Sequence, residues 1–175
     1  MIWKQRERSE SFRLFKENGY GDLTAVTLSN AGIENLKDAW DFLHGDELHS
    51  PSKIRNIEKA TQLIWKHIEE KNRICIFGDY DADGITSSAI MFLALKKLGA
   101  SPAVRLPDRI EEGYGINLKA IKEQLELGTK LFITVDNGVR AIEEIKYIKE
   151  CDCDVVVLDH HEPGEVLPEP DALID

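Results

Sequence analysis

Residues 73–84 read RICIFGDYDADG: a short apolar run, then a glycine, then three aspartates at alternate positions, Asp79, Asp81 and Asp83. Five apolar-rich residues are too few for a helix, and a run without polar alternation is the mark of a strand buried on both faces. The same signature returns downstream at 103–106 (AVRL), 131–135 (LFITV) and 155–158 (VVVL), and 172–174 opens as one more strand. Between these runs, 86–98, 117–127 and 140–150 have helical spacing, with Gly99 and Gly128 just past two of the ends as caps. Strand and helix alternate throughout. Such a series predicts an α/β fold, an open, mostly parallel sheet with helices on both faces, whose ligand site lies outside the carboxyl ends of the strands.

Upstream of residue 73 the pattern differs. Leu23, Val26 and Leu28, then Trp40, Phe42 and Leu43, then Ile57, Ala60, Leu63, Ile64 and Ile68 recur at helical intervals. They predict a helical lead-in over 1–70, broken at Ser50-Pro51 and ending in one amphipathic helix over 54–70, ahead of a main domain over 71–175. Trp3, Trp40 and Trp65 all fall in the lead-in and are expected to pack against the main domain.

The 175 residues carry a net charge of −10, which excludes a uniformly basic nucleic-acid-coating surface. It leaves room for an enzyme of phosphodiesters, because carboxylates that hold divalent cations attract phosphate through the metal. No apolar run approaches bilayer length and the first residues lack a signal-peptide core, so a cytoplasmic protein without membrane contact is expected. Cys75 suits a buried strand position. Cys151 and Cys153, one residue apart, resemble half a metal clip without a partner pair, so reduced thiols are expected.

Three strand ends deliver the chemistry. Asp79, Asp81 and Asp83 follow the first, Asp136-Asn137-Gly138 the third, and Asp159-His160-His161 the fourth. Carboxylates gathered at one edge repel one another unless cations neutralise them. Oxygen and imidazole donors without thiolate suit Mn²⁺ or Mg²⁺, and the number of donors suits two ions. The segment from Asp79 also fits the opening of an EF-hand loop, but position 12 would be Ile90 instead of Glu. Arg105, Arg109 and Arg140 follow strands and are placed to meet phosphates, while Tyr114 suits either a base-stacking role or a turn.

Gly-Asp-Tyr-Asp-Ala-Asp-Gly, Thr-Val-Asp-Asn-Gly and Asp-His-His, in this order and spacing, resemble the DHH phosphoesterase family over about residues 20–175. The lead-in, the Ile-Thr-Ser-Ser run after the first motif and the segment from Pro107 to Gly115 resemble its RecJ branch, exonucleases that digest single-stranded DNA from 5′ to 3′. The resemblance implies that Asp81 and Asp83 ligate one metal each, that Asp136 bridges, and that His160 ligates the second metal with Asp159 as its support. It makes His161 a ligand or a contact of the scissile phosphate. Phe77 stands where many members carry a histidine, which brings in Asp79 or water as replacement ligand. Single-stranded DNA as substrate, with Arg109 and Tyr114 among its contacts, and single-strand DNA-binding protein as partner are likewise implied. So are a further ligating aspartate and a second, substrate-binding domain, neither of which lies within these 175 residues; the chain is expected to be an N-terminal fragment with little or no activity of its own.

Three alternatives remain. Asp81 and Asp83 after an apolar strand also suit a haloacid-dehalogenase-like phosphatase with Asp81 as nucleophile, a class that wants a lysine near the later strands. A smaller DHH enzyme would cleave oligoribonucleotides or cyclic dinucleotides. A non-catalytic docking piece would use the lead-in helices to meet a partner.

Overall fold

The computed structural model describes residues 8–45 and 49–174 and resolves the chain into two units, 1–49 and 50–175. Trp3 lies outside the described residues. In the first unit, α1 (Glu10–Glu17), α2 (Asp22–Asn30) and α3 (Leu36–His44) bury Phe12, Phe15, Ala25, Leu28 and Ala39 together. Ser9 caps α1 by accepting from the Phe12 N–H at 3.2 Å, and Asn35 caps α3 by accepting from Asp38 at 2.9 Å. Of the tryptophans expected to pack against the main domain, Trp40 and Trp65 keep much of their surface exposed. Trp40 is 61% exposed and stacks on His44, one helical turn away, and Trp65 is 44% exposed. Their helices turn smaller residues inward, Ala39 in α3 and Ala60 in α4 (Ile57–Glu69).

The second unit starts with a 3₁₀ turn at Pro51–Lys53, then α4. That helix begins three residues later than its periodicity predicts, because Ile54 is extended and Asn56 takes a left-handed φ of 61°. It packs on the sheet through Ala60, Leu63, Ile64 and Ile68, so it goes with the α/β unit and not with the three helices before it.

Five parallel strands follow in the order β2-β1-β3-β4-β5: β1 (Arg73–Phe77), β2 (Ala103–Arg105), β3 (Thr129–Val135), β4 (Asp154–Leu158) and β5 (Ala172–Ile174). The alternation of each strand feeds two cores. Ile74, Ile76, Leu131, Ile133, Val135 and Val156 face α4 and α5 (Ala82–Lys97). Cys75, Phe77, Phe132, Val155 and Val157 face α6 (Leu118–Glu126) and α7 (Ile142–Glu150). Helices on both faces explain why the strands read as continuous apolar runs. At the amino edge of the sheet, buried His67 of α4 bonds Asp154 through Nε2 (2.8 Å) and accepts from Asn72 at Nδ1 (3.1 Å), pinning helix to strand. From β1 the chain leaves to β2 on one side, and β3 lies on the other. The carboxyl ends of β1 and β3 therefore flank the switch point of the sheet, where such folds open a crevice. No helix among the described residues is long and apolar enough to cross a membrane.

Candidate metal centre

After β1 the chain turns at Gly78 and lays Asp79 fully inside, at 0% exposure, with neither carboxylate oxygen hydrogen-bonded. Asp81 is the N-cap of α5 and accepts from the Gly84 N–H at 3.0 Å. The helix therefore starts four residues before its predicted first residue, and Asp83 sits in its first turn, where the helix dipole favours a carboxylate. Gly84 is required by proximity: a Cβ there would stand 2.5 Å from the backbone of Asp79. This is not an EF-hand loop. A helix begins at its fourth position and its first carboxylate is buried.

At the end of β3, Asp136 is held at φ 61°, a left-handed backbone that an aspartate tolerates better than most residues. Asn137 locks this turn by donating to the carbonyls of Phe77 (3.1 Å) and Val135 (2.9 Å), which ties the ends of β1 and β3 together. Gly138, at φ 114°, has no room for a side chain beside Thr134 and Val157. Asp136 Oδ1 meets His160 Nε2 at 3.0 Å, while its buried Oδ2 has no partner. Burial drives its pKa above the ordinary value, opposed by the His160 hydrogen bond and assisted by the charge of Asp81.

At the end of β4, Asp159 accepts from Val139 N–H (2.9 Å), from the N–H groups of His160 (2.8 Å) and His161 (3.2 Å), and from His161 Nδ1 (2.7 Å). Burial alone would raise its pKa, but these donors together hold it below the usual range. The same Asp159 contact raises the pKa of His161.

Two groups of donors result: Asp79, Asp81 and Asp136, and Asp136, His160 and His161, the atoms of each lying within 4.8 Å of one another. Asp136 belongs to both. Buried carboxylate oxygens without donors are costly, and a cation between these strand ends is the partner their chemistry fits. Asp83 is in neither group; it lines a neighbouring groove with Asp136, Asp159 and His160. Around the rim, the Tyr114 hydroxyl meets His161 Nε2 at 3.1 Å, and Arg109 lies 5.5 Å over the Tyr80 ring. Arg140 donates to the Glu162 carbonyl at 2.8 Å. Arg105 is not free for phosphate, because it is ion-paired with Glu112, whose side chain is buried.

Residues 73–175 match the model of the DHH family, N-terminal domain. The chain belongs to the DHH family. Its relatives include the single-stranded-DNA-specific exonuclease RecJ of Bacillus subtilis (strain 168), 40% identical over 154 residues, with 87% of this chain and 20% of the relative covered. The RecJ of Haemophilus influenzae is 40% identical over 144 residues, covering 82% of this chain and 25% of the relative. The chain thus spans about a fifth to a quarter of the curated relatives it matches. Among solved structures, an exonuclease RecJ bound to manganese superimposes with a TM-score of 0.64 at 37% identity, over 68% of this chain and 31% of that one. RecJ from Thermus thermophilus in complex with Mn²⁺ gives 0.63 at 27% identity, over 93% and 22%.

Within this DHH domain the sequence marks the Asn137 turn by its place directly after a buried strand, where an Asn-Gly pair is more than an ordinary turn; the Tyr80 ring, between two aspartates, carries no such mark and comes under Arg109 only through the fold. The covalent-phosphatase alternative wanted a lysine, and none lines the two grooves at this edge.

Proposed function

We propose that this DHH chain forms the metal-binding part of an exonuclease that hydrolyses single-stranded DNA from its 5′ end and releases 5′-mononucleotides. The carrying observation is that Asp136 is shared by both donor groups and keeps a buried oxygen unpaired. In this reading Asp79, Asp81 and Asp136 hold one divalent cation, Mn²⁺ or Mg²⁺, and Asp136, His160 and His161 a second, with Asp83 as the further carboxylate of the first turn. Such ions would supply Lewis acidity there, to acidify a water and offset charge on the phosphate oxygens. The chain's own residues organise the rest. Asp159 holds the His161 ring through Nδ1 and so leaves Nε2, on the side of Tyr114, as the atom free to ligate. Arg109 and Arg140 supply positive charge at the rim for neighbouring phosphates. The relatives' names support DNA as substrate, and the reading brings with it a cytoplasmic setting and single-strand DNA-binding protein as partner.

The test is a calorimetric Mn²⁺ titration of the chain beside Asp136→Ala, followed by Mn²⁺-dependent digestion of 5′-labelled single- and double-stranded DNA by a longer chain of the length of its relatives. Saturable binding lost in the variant, and label released as mononucleotide from the single strand alone, is the expected result. Binding that ignores the substitution would overturn the shared site. Hydrolysis of short oligoribonucleotides or cyclic dinucleotides without attack on DNA would overturn the substrate.

A further inference from the structure

On the α7 side of the metal centre a cavity of about 530 Å³ opens beside His161. Its floor is apolar, made by Ile116, Val139 and Ala141, and its wall is the ring of Tyr114. Tyr80 and His161 meet that ring at 89° and 86°, so neither stacks flat on it, and Tyr114 remains 55% exposed. Arg140 and Glu144 stand in the lining with opposite charges. Buried Asn137 also contributes to the cavity, and its Oδ1 has no hydrogen-bond partner.

We infer that this cavity is the subsite for a nucleoside, taking the base and sugar of the nucleotide whose phosphate lies at the metal centre. The inference rests on the phosphodiesterase reading above and adds to it where the base goes. Three features select this class of ligand. The volume accommodates a nucleotide, whereas a bare phosphate would leave most of it empty. In the cavity the carboxylates of Glu144 and Asp159 outnumber Arg140, whose Nε–H is already given to the Glu162 carbonyl, so the phosphate belongs on the metal side of His161. An apolar floor with one open aromatic face and a few polar groups matches a flat heteroaromatic ring with polar edges. The groove on the opposite side, with Ile90, Leu158 and Ile174, has no tyrosine, phenylalanine or tryptophan ring and carries the carboxylates of Asp83 and Asp136.

The experiment compares dAMP with 2-deoxyribose 5-phosphate, the same ligand without its base, by titration calorimetry of the 175-residue chain in Mg²⁺. It is joined by nuclear Overhauser effects between the adenine protons and protein methyl groups. The expected result is dAMP bound about tenfold more tightly, the order one base stacked on an aromatic ring supplies, with contacts to the Val139 and Ala141 methyls. Ala141→Phe, which fills the cavity, should erase that tenfold difference and leave the Mn²⁺ titration unchanged. Equal affinities for the two ligands would overturn the inference, and so would adenine contacts to Ile90 and Leu158, or a folded Ala141→Phe that keeps the difference. If the variant does not fold, the contact map of the unmodified chain decides. A base-dependent difference that persists while Mn²⁺ fails to bind would break the metal reading and leave the nucleoside site standing.

Discussion

An aspartate–histidine pair sits at each edge of the sheet, and the two are built to opposite ends. At the amino edge His67 is sealed in, both ring nitrogens are engaged, and Asp154 also receives Lys66 at 3.2 Å. At the carboxyl edge the His160 side chain is 71% exposed, and its partner Asp136 is buried, held at a left-handed φ and short of a donor on Oδ2. The first arrangement is what stability asks of buried polar groups. The second is a local loss of stability that a ligand can recover. What separates function from structure here is unmet hydrogen-bonding capacity, since the residue types are the same.

Asp136→Asn tests the contrast most severely. Metal affinity should fall by more than the roughly 10- to 100-fold typical of losing an outer-shell partner, while the melting temperature of the metal-free chain should not drop, because a repelled and under-bonded carboxylate has been neutralised. A variant that lost stability without losing Mn²⁺ would reverse the roles of the two edges. Next in size, Gly84→Ala forces a methyl against the Asp79 backbone and should cost about 1–3 kcal/mol as an overpacked site. Urea denaturation reads this loss, and Mn²⁺ binding should weaken with it as Asp79 moves. At the amino edge, His67→Ala should cost a similar ~1–3 kcal/mol through the groups left unsatisfied, with unchanged Mn²⁺ affinity; a loss of affinity would mean that the edges are coupled.

Acid separates the pairs by sign. Burial works to raise the Asp154 pKa, but hydrogen bonds from His67 and Lys66 outweigh it and hold it below 3.8. Its contribution is therefore full above 3.8 and disappears as pH falls through the depressed folded value. The Asp136 pKa is raised by burial, so its charge costs stability above the raised value, and that cost vanishes as pH falls to 3.8. Metal-free denaturation midpoints across this range should show Asp136→Asn converging on the unmodified chain as pH falls, whereas Asp154→Asn converges only below 3.8. Curves that move together would erase the distinction. The smallest effect is expected of Lys66→Ala. Its half-exposed amine is in an ion pair of the kind worth about 0–1 kcal/mol, and the loss should shrink further in salt.

Much of this was legible in one dimension. The strands that begin at Arg73, Ala103 and Ala172 do so in the structure, and all three functional turns follow strands as the apolar runs predict. The helix after the first motif was harder, since Asp81-Ala82-Asp83-Gly84 reads as a loop by composition. Only the cap bond from Gly84 to Asp81 shows that it is the first turn of α5. Likewise Arg105 looked available for phosphate until the Glu112 carboxylate, seven residues on, folded back to it.

By itself the sequence determined the succession of strands and helices, and which carboxylates and imidazoles would stand at one edge of a sheet. Both follow from local causes: side-chain periodicity, and the rule that parallel strands all end on the same side. Tertiary structure alone decided that β3 lies against β1, which brings Asp136 within reach of Asp79 and Asp81. It also decided that Asp79 is buried without a partner, and that a cavity opens between Tyr114 and α7. Strand order and desolvation depend on contacts between residues far apart in the chain, and neither has a signature within any short window of sequence.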